Sequence, residues 1–334
     1  MTRRQPWRPG AATGIGSLPG ADIVEATRLV FGESPDLPYL PELPARGAGA
    51  DMIGRTAALL VDLPVEIVPS GWRLTARPGR DLRVARDFLD RDLDALEQVG
   101  GEFTGTVKVQ VAGPWTVAAS VELPTGHRVV SDHGATRDLA ESLADGLARH
   151  LADVRRRLPA ASIVVQLDEP SLPAVLSGQV PTPSGWGSVR SVPASDVEQT
   201  LGRMLTVVPE GARIVHCCAS DAPVRLFAGA GADAIAFDAT RLESRSFDAL
   251  GEVIEAGIAI LLGVVPSVDA TITVDEVVEK VERLWQALGF PRAQLPEAIV
   301  ATTACGLAGA SPGYARQVMS VLRDASARLS EESE

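Results

Sequence analysis

Short apolar runs recur along the chain, and each ends in a polar or glycine-rich segment. Several are continuous Val, Ile and Ala runs, which are typical of strands buried on both faces, as in parallel sheets. The pattern predicts eight strands: Ala11–Ser17, Pro64–Pro69, Thr106–Val111, Ser162–Asp168, Ala212–Cys217, Ala234–Asp238, Ala256–Val264 and Ala298–Thr303.

Between these runs, apolar residues recur at the spacing of an amphipathic helix. The pattern predicts four long helices: Asp81–Val99, Thr136–Leu158, Thr273–Leu288 and Ser311–Leu329. Alternating strands and helices predict an α/β fold, a single (β/α)8 TIM barrel that spans residues 1–334. A doubly wound open sheet is the alternative, but no Gly-x-Gly-x-x-Gly follows a predicted strand.

Three long connections, residues 18–63, 112–135 and 169–195, are expected to lie over the carboxyl ends of the strands. The first is rich in Pro and Gly, and we expect a lid or an extra hairpin there. The acidic end, residues 330–334, is expected to be a frayed tail.

Composition narrows the class of protein. The 334 residues are 46% hydrophobic and 22% charged, which indicates a globular domain with a large core. The net charge of −12 argues against nucleic acid or an anionic membrane as a partner. No apolar run approaches the roughly 20 residues of a membrane helix, and no signal peptide is evident. Three cysteines are too few for a disulfide framework, so a cytoplasmic location is expected.

The residues best suited to chemistry follow the apolar runs. His216 and Cys218 are two apart at the end of one predicted strand, so both point to the same face. Asp238 ends the next strand, and Cys305 follows the last. The active site of a barrel lies at these carboxyl ends, and zinc takes N, S and O ligands. These four residues therefore form a candidate zinc site, although a cysteine such as Cys305 is also a common core residue.

Six segments, taken in order, resemble the catalytic barrel of the cobalamin-independent methionine synthase family. They are Thr13-Gly-Ile-Gly-Ser-Leu-Pro19, Gly113-Pro-Trp-Thr116, Gln166-Leu-Asp-Glu-Pro170, His216-Cys-Cys218, Phe237-Asp-Ala-Thr-Arg241 and Ala304-Cys-Gly-Leu307. Each motif is weak alone, but their order and spacing together are fairly specific. The resemblance covers the catalytic barrel only, because 334 residues leave no room for the family's second, folate-holding barrel.

The resemblance implies methyl transfer to a thiol, with homocysteine as the acceptor and methionine as the product. It implies one Zn²⁺ per chain with four ligands: His216, Cys218, Asp238 and Cys305. The substrate carboxylate would be held by Ile15, Gly16 and Ser17, and the amino group by Asp168, the candidate catalytic residue. The methyl donor would be a methylated folate or a methylcorrinoid protein.

The chain departs from the family pattern in the site itself. The family has Glu where Asp238 stands, and it has a His in the loop after the seventh strand that residues 263–267 lack. The family also has a substrate-binding Glu before the second strand. No Glu is found at residues 47–52, where Asp51 is the possible substitute.

Two other interpretations follow from these departures. One is a metal-free decarboxylase of the uroporphyrinogen type, whose barrel is related but whose arginine arrangement is not found here. The other is an inactive barrel that binds an amino acid or a partner protein. Zinc content separates the methyltransferase from the first, and methyl transfer separates it from the second.

Overall fold

A parallel sheet of six strands forms the centre of the protein. The computed structural model describes residues 5–243 and 246–331. A hairpin of β1 (Val65–Val68) and β2 (Gly71–Leu74) precedes the sheet. The sheet then contains β3 (Thr106–Ala112), β4 (Ser162–Asp168), β5 (Arg213–Cys217), β6 (Ala234–Asp238), β7 (Ala259–Val265) and β8 (Ile299–Thr303). Each strand pairs in parallel with the next, in the order β3-β4-β5-β6-β7-β8. These six strands confirm six of the predicted ones.

Helices connect the strands and cover the sheet. They are α1 (Ile23–Glu33), α2 (Met52–Leu59), α3 (Arg80–Gly100), α4 (Pro114–Ser120), α5 (His133–Arg157), α6 (Leu172–Ser177), α7 (Ala194–Leu205), α8 (Val224–Gly229), α9 (Phe247–Glu255), α10 (Val274–Leu288), α11 (Leu295–Ala298) and α12 (Pro312–Glu331). All four predicted helices are confirmed as α3, α5, α10 and α12. Thr273 and Glu276 form a capping box at the start of α10, which explains its sharp boundary.

None of the helices in the described ranges is both long and apolar enough to cross a membrane.

The predicted strand Pro64–Pro69 is wrong as a member of the parallel sheet. Its residues form β1, which pairs antiparallel with β2 outside the main sheet. Only Val65 of β1 is buried and Ile67 is exposed, whereas every residue of β3 and β7 is buried. A strand with one exposed side suits a surface hairpin.

The predicted strand Ala11–Ser17 makes isolated bridges instead of a continuous ladder. Ala12 pairs in parallel with Ala301 of β8, and Ser17 pairs in parallel with Glu42. At the opposite edge of the sheet, Tyr39 pairs in parallel with Lys108 of β3. The described residues thus show a six-stranded sheet whose two edges both contact the N-terminal segment, not a complete eight-stranded ladder.

The long connections contain helices. Residues 18–63 hold α1 and α2 and not the expected hairpin, since the hairpin follows them. Residues 169–195 hold α6 and a loop in which Trp186 is 95% exposed. Ser330 and Glu331 belong to α12, so the predicted tail does not begin at residue 330. The remainder of that predicted tail, residues 332–334, lies outside the described residues.

A buried ion-pair cluster ties α2 to α3. Asp92 of α3 is fully buried and accepts two hydrogen bonds from Arg46, at 2.6 and 2.9 Å. Arg55 of α2 donates to the same carboxylate. Two guanidinium groups therefore depend on one carboxylate inside the core.

Candidate active site

A buried histidine and a buried aspartate meet at the carboxyl ends of β4 and β5. Asp168 and His216 are paired in register, and their side chains are 7% and 3% exposed. His216 Nδ1 lies 2.7 Å from Asp168 Oδ1. An ionised carboxylate only accepts hydrogen bonds, so Nδ1 carries the proton and Nε2 is left with a lone pair. Nε2 is buried and has no hydrogen-bond partner in the described part of the chain.

Two cysteines lie next to each other just beyond the strand ends. Cys218 follows β5, Cys305 follows β8, and their sulfur atoms are 3.2 Å apart. The hydrogen bond between them lowers the pKa of Cys305 to about 6 and raises the pKa of Cys218. His216 also lowers the pKa of Cys305. Cys217 points away into the core, as predicted.

The predicted fourth ligand, Asp238, is engaged elsewhere. Its Oδ1 accepts hydrogen bonds from the Thr240 amide at 2.9 Å and the Thr240 hydroxyl at 2.6 Å. Its Oδ2 accepts from Arg241 Nε at 3.0 Å, and Arg241 also donates to Ser220 at 3.2 Å. Asp238 therefore links the loops after β5 and β6.

The donor types fit zinc even though the four predicted ligands are not assembled. Across residues 5–243 and 246–331, no group of three or more His, Cys, Asp or Glu side chains is arranged to hold a metal ion. However, the donor types found here, a buried imidazole nitrogen without a partner and two thiols 3.2 Å apart, are ones that zinc takes. Asp238 as a ligand stays a prediction.

The turn Ile15-Gly16-Ser17 lies beside the Cys305 loop. Leu307 donates its amide to the Ser17 carbonyl at 2.7 Å. Between them, Gly306 leaves room for the Ser17 side chain, because a Cβ at Gly306 would lie 2.0 Å from Ser17 Oγ. Ser17 thus lies against the loop that follows Cys305, and the substrate-binding role that the resemblance implies for it stays a prediction.

Glu42 is a site residue that the sequence did not reveal. Its backbone pairs with the turn, since Glu42 N donates to Gly16 O at 3.1 Å and Leu18 N donates to Glu42 O at 2.9 Å. Its carboxylate is buried, lies 3.8 Å from Arg55 Nε and has a pKa that burial raises to about 7. The suggested substitute Asp51 instead caps α2, accepting from the Gly54 amide at 2.6 Å. The available signal was that Glu42 is the only acidic residue within 37–47.

Glu169, next to Asp168, points the opposite way and anchors α4. It accepts hydrogen bonds from the amides of Trp115 and Thr116, at 3.0 and 2.7 Å, and from the Thr116 hydroxyl at 2.8 Å. Burial raises the pKa of Glu169 to about 7. This carboxylate holds the Gly113-Pro-Trp-Thr116 turn against the end of β4.

A cavity of about 440 Å³ opens beside the site. Its lining includes Ala219, Phe237, Asp238 and Arg241, all close in sequence to the strand ends. The lining is mostly apolar and includes neither Ser17 nor Asp168. The cavity therefore reaches Asp238 but not Ser17 or Asp168.

Residues 10–328 match the protein family described as "Cobalamin-independent synthase, Catalytic domain". The chain belongs to this family. The match confirms the resemblance seen in the six sequence motifs. No curated protein matches the chain in sequence.

Solved structures support the fold of this cobalamin-independent synthase domain. A B12-independent methionine synthase from Shewanella sp. W3-18-1, in complex with selenomethionine, is 13% identical, with 98% of each chain covered and a TM-score of 0.62. A family 1 β-glucosidase from Thermotoga maritima is 12% identical over 98% of this chain and 99% of that chain. Its TM-score is 0.33, so it carries no argument here.

Proposed function

We propose that this cobalamin-independent synthase domain transfers a methyl group to the thiol of homocysteine, giving methionine. Family membership supports methyl transfer of this kind. The observation that carries the proposal is the buried, unpartnered Nε2 of His216, two residues before Cys218, whose sulfur lies 3.2 Å from that of Cys305. An inactive barrel would have no need to keep such a nitrogen without a partner.

Three residues would hold one Zn²⁺: His216 through Nε2, and Cys218 and Cys305 through sulfur. Asp238 is the fourth predicted ligand and would have to release Thr240 to join them. When bound, zinc lowers the pKa of a thiol that joins it, so the substrate sulfur is available as a thiolate at neutral pH.

The amino-acid end of the substrate fits the charges around the turn. Asp168 and Glu42 are carboxylates near one another, and an ammonium group placed between them would be paired. The backbone of Ile15-Gly16-Ser17 and the Ser17 hydroxyl supply donors for a carboxylate. Asp168 would thus both bind the substrate ammonium and orient His216.

The reaction needs a donor whose methyl group can be attacked in line. The substrate sulfur forms a bond to the methyl carbon, and the bond from that carbon to the donor breaks, leaving its electron pair on the donor. A methylated folate or a methylcorrinoid protein would supply the methyl group.

We infer that the N-terminal segment completes a (β/α)8 barrel as a single domain. Residues 11–18 would take the position next to β8, and residues 38–42 the position next to β3. The inference is supported by the bridges Ala12–Ala301 and Tyr39–Lys108 at the two edges and by Ser17–Glu42 between the segments. Closure would place Ser17 and Glu42 at the same end as Asp168 and His216.

Metal content and methyl transfer test the proposed function. The reduced wild-type protein should hold about one zinc per chain by elemental analysis, and Cys305→Ser should lose most of it. Cys217→Ala is the matched control, because this third cysteine packs in the core. Homocysteine and a methyl donor should yield methionine with the wild type and with Cys217→Ala, but not with Cys305→Ser. Wild-type zinc content in Cys305→Ser would contradict the ligand assignment, and a zinc-loaded protein without methyl transfer would contradict the activity.

A further inference from the structure

Lys108 has an unusual place in this protein. The sequence has only two lysines, and Lys108 is 0% exposed in the middle of β3. Its Nζ donates to the Ile15 carbonyl at 2.8 Å and to Gln166 Oε1 at 2.8 Å, and it lies 5.2 Å from the centre of the Tyr39 ring. Burial lowers the pKa of Lys108 to about 8. Burying an ammonium group is unfavourable unless its protons have partners, so these contacts account for its position.

Lys108, together with Ile15 and Asp168, determines which way the Gln166 amide points. Lysine only donates hydrogen bonds, so the amide oxygen must face Lys108 and the amide nitrogen must face away. That nitrogen donates to the Ile15 carbonyl at 2.9 Å and to Asp168 Oδ1 at 2.8 Å. A flipped amide would place NH₂ against the ammonium and oxygen against the Asp168 carboxylate. Removing Lys108 removes one of the three contacts that hold the observed orientation.

The same Asp168 oxygen also accepts from His216 Nδ1, at 2.7 Å. Two donors, Gln166 and His216, therefore fix one carboxylate oxygen, and the carboxylate in turn fixes the tautomer and the ring plane of His216. Partners that orient a metal-binding histidine in this way determine its affinity for the metal. The hydrogen-bonded series thus runs without a gap from Lys108 to the imidazole.

We propose that Lys108 and Gln166 are positioning residues for both halves of the site. Through Ile15 they hold the turn that faces the substrate, and through Asp168 they orient His216 for zinc. The proposal rests on the function proposed above only because that function names zinc and homocysteine as the ligands. The hydrogen bonds themselves do not depend on that function. It predicts that loss of either residue weakens zinc binding and homocysteine binding together.

The first test replaces Lys108 by methionine, which has a similar length and no donor. Zinc affinity of the reduced protein, measured by competition with a chromophoric chelator, should fall about 10- to 100-fold. Homocysteine affinity of the zinc-loaded protein, measured by calorimetry, should fall as well. Lys280→Met is the matched control, since Lys280 is exposed on α10 and its Nζ is 3.4 Å from Val264 O. A twofold change or less in Lys108→Met, or an equal loss in the control, would overturn the proposal.

A second variant decides the question if Lys108→Met does not fold. Gln166→Glu keeps the shape of the side chain and a partner for Lys108, but it removes the donors to Ile15 and Asp168. Its thermal transition should show that it is folded, and its zinc affinity should fall in the same range as for Lys108→Met. Wild-type zinc affinity in a folded Gln166→Glu protein would refute the positioning role.

A double-mutant cycle separates positioning from general stability. If Lys108 acts through Asp168, then Lys108→Met should weaken zinc binding much less in an Asp168→Ala background than in the wild type. Additive losses would mean that Lys108 acts on stability alone and would overturn the proposal. Zinc affinity can be measured without turnover. A non-additive effect of the two substitutions on zinc affinity, in a protein that transfers no methyl group, would therefore contradict the proposed function and leave this inference intact.

Discussion

Replacing Gly306 by alanine should displace the Ser17 side chain without unfolding the protein. The new Cβ would lie 2.0 Å from Ser17 Oγ, 3.2 Å from Ser17 Cβ and 3.4 Å from Ser17 N, so the hydroxyl must move while the rest of Ser17 needs only a small shift. Gly306 does not have a positive φ, and alanine can therefore adopt its backbone conformation. A side chain that changes or strains its rotamer costs about 0.5–1.5 kcal/mol, a small part of the stability of a domain.

The effect on substrate binding should be larger. If Ser17 Oγ donates to the substrate carboxylate, losing this charge-assisted hydrogen bond costs about 1.5–3 kcal/mol. That energy corresponds to a rise of about 10- to 100-fold in the KM for homocysteine. The kcat should change less, since Ser17 does not touch the reacting sulfur in this assignment.

Steady-state kinetics and thermal unfolding together check this prediction. Gly309→Ala is the matched control, because it lies in the same loop and a Cβ there would meet no described atom within 4 Å. The control should keep both the wild-type KM and the wild-type Tm. A Gly306→Ala protein that is folded and has a KM within twofold of wild type would refute the role of Ser17.

Two further predictions concern buried charges. Asp92→Ala should destabilise the protein by about 3–5 kcal/mol in urea unfolding, because Arg46 and Arg55 lose their shared carboxylate. Asp87, which forms an exposed ion pair with Arg91, offers the control, and Asp87→Ala should change stability by about 0.5 kcal/mol or less. Equal losses of stability in Asp92→Ala and Asp87→Ala would contradict the burial argument. Burial raises the pKa of Glu42 from 4.5 to about 7, so the folded state binds this proton more tightly than the unfolded chain. The stability that this adds is present below the unfolded pKa and is lost as pH rises through about 7. Between about pH 5 and about pH 8, wild type should therefore lose about 2–3 kcal/mol more than Glu42→Gln; parallel pH profiles would refute it.

The sequence predicted best the strands that are buried along their whole length. Strands β6 to β8 are almost entirely buried, and continuous apolar runs mark them reliably. Within residues 18–63, where a lid or an extra hairpin is expected, Tyr39 and Glu42 pair through single bridges, which leave no periodic pattern in the sequence. Glu42 was missed for the same reason. Asp238 illustrates a different limit, since its place at the end of β6 was predicted but its engagement with Thr240 and Arg241 depends on how a loop folds back.

The polar residues inside β3 and β4 show what a closer interpretation of the sequence would have found. In β3, Lys108 and Gln110 are two apart, so they share one face, and in β4 the same holds for Gln166 and Asp168. Such alternation ordinarily predicts a strand with one face in solvent. Here every residue of β3 is buried, and the polar face lies against the polar face of β4, with Gln110 and Gln166 paired in register. A polar face that is hidden from water must be satisfied by its own partners, and each partner fixes the next. The alternation in these two strands therefore marks the polar layer that contacts His216 and the Ile15-Gly16-Ser17 turn, and one of only two lysines in an arginine-rich chain was its clearest sign.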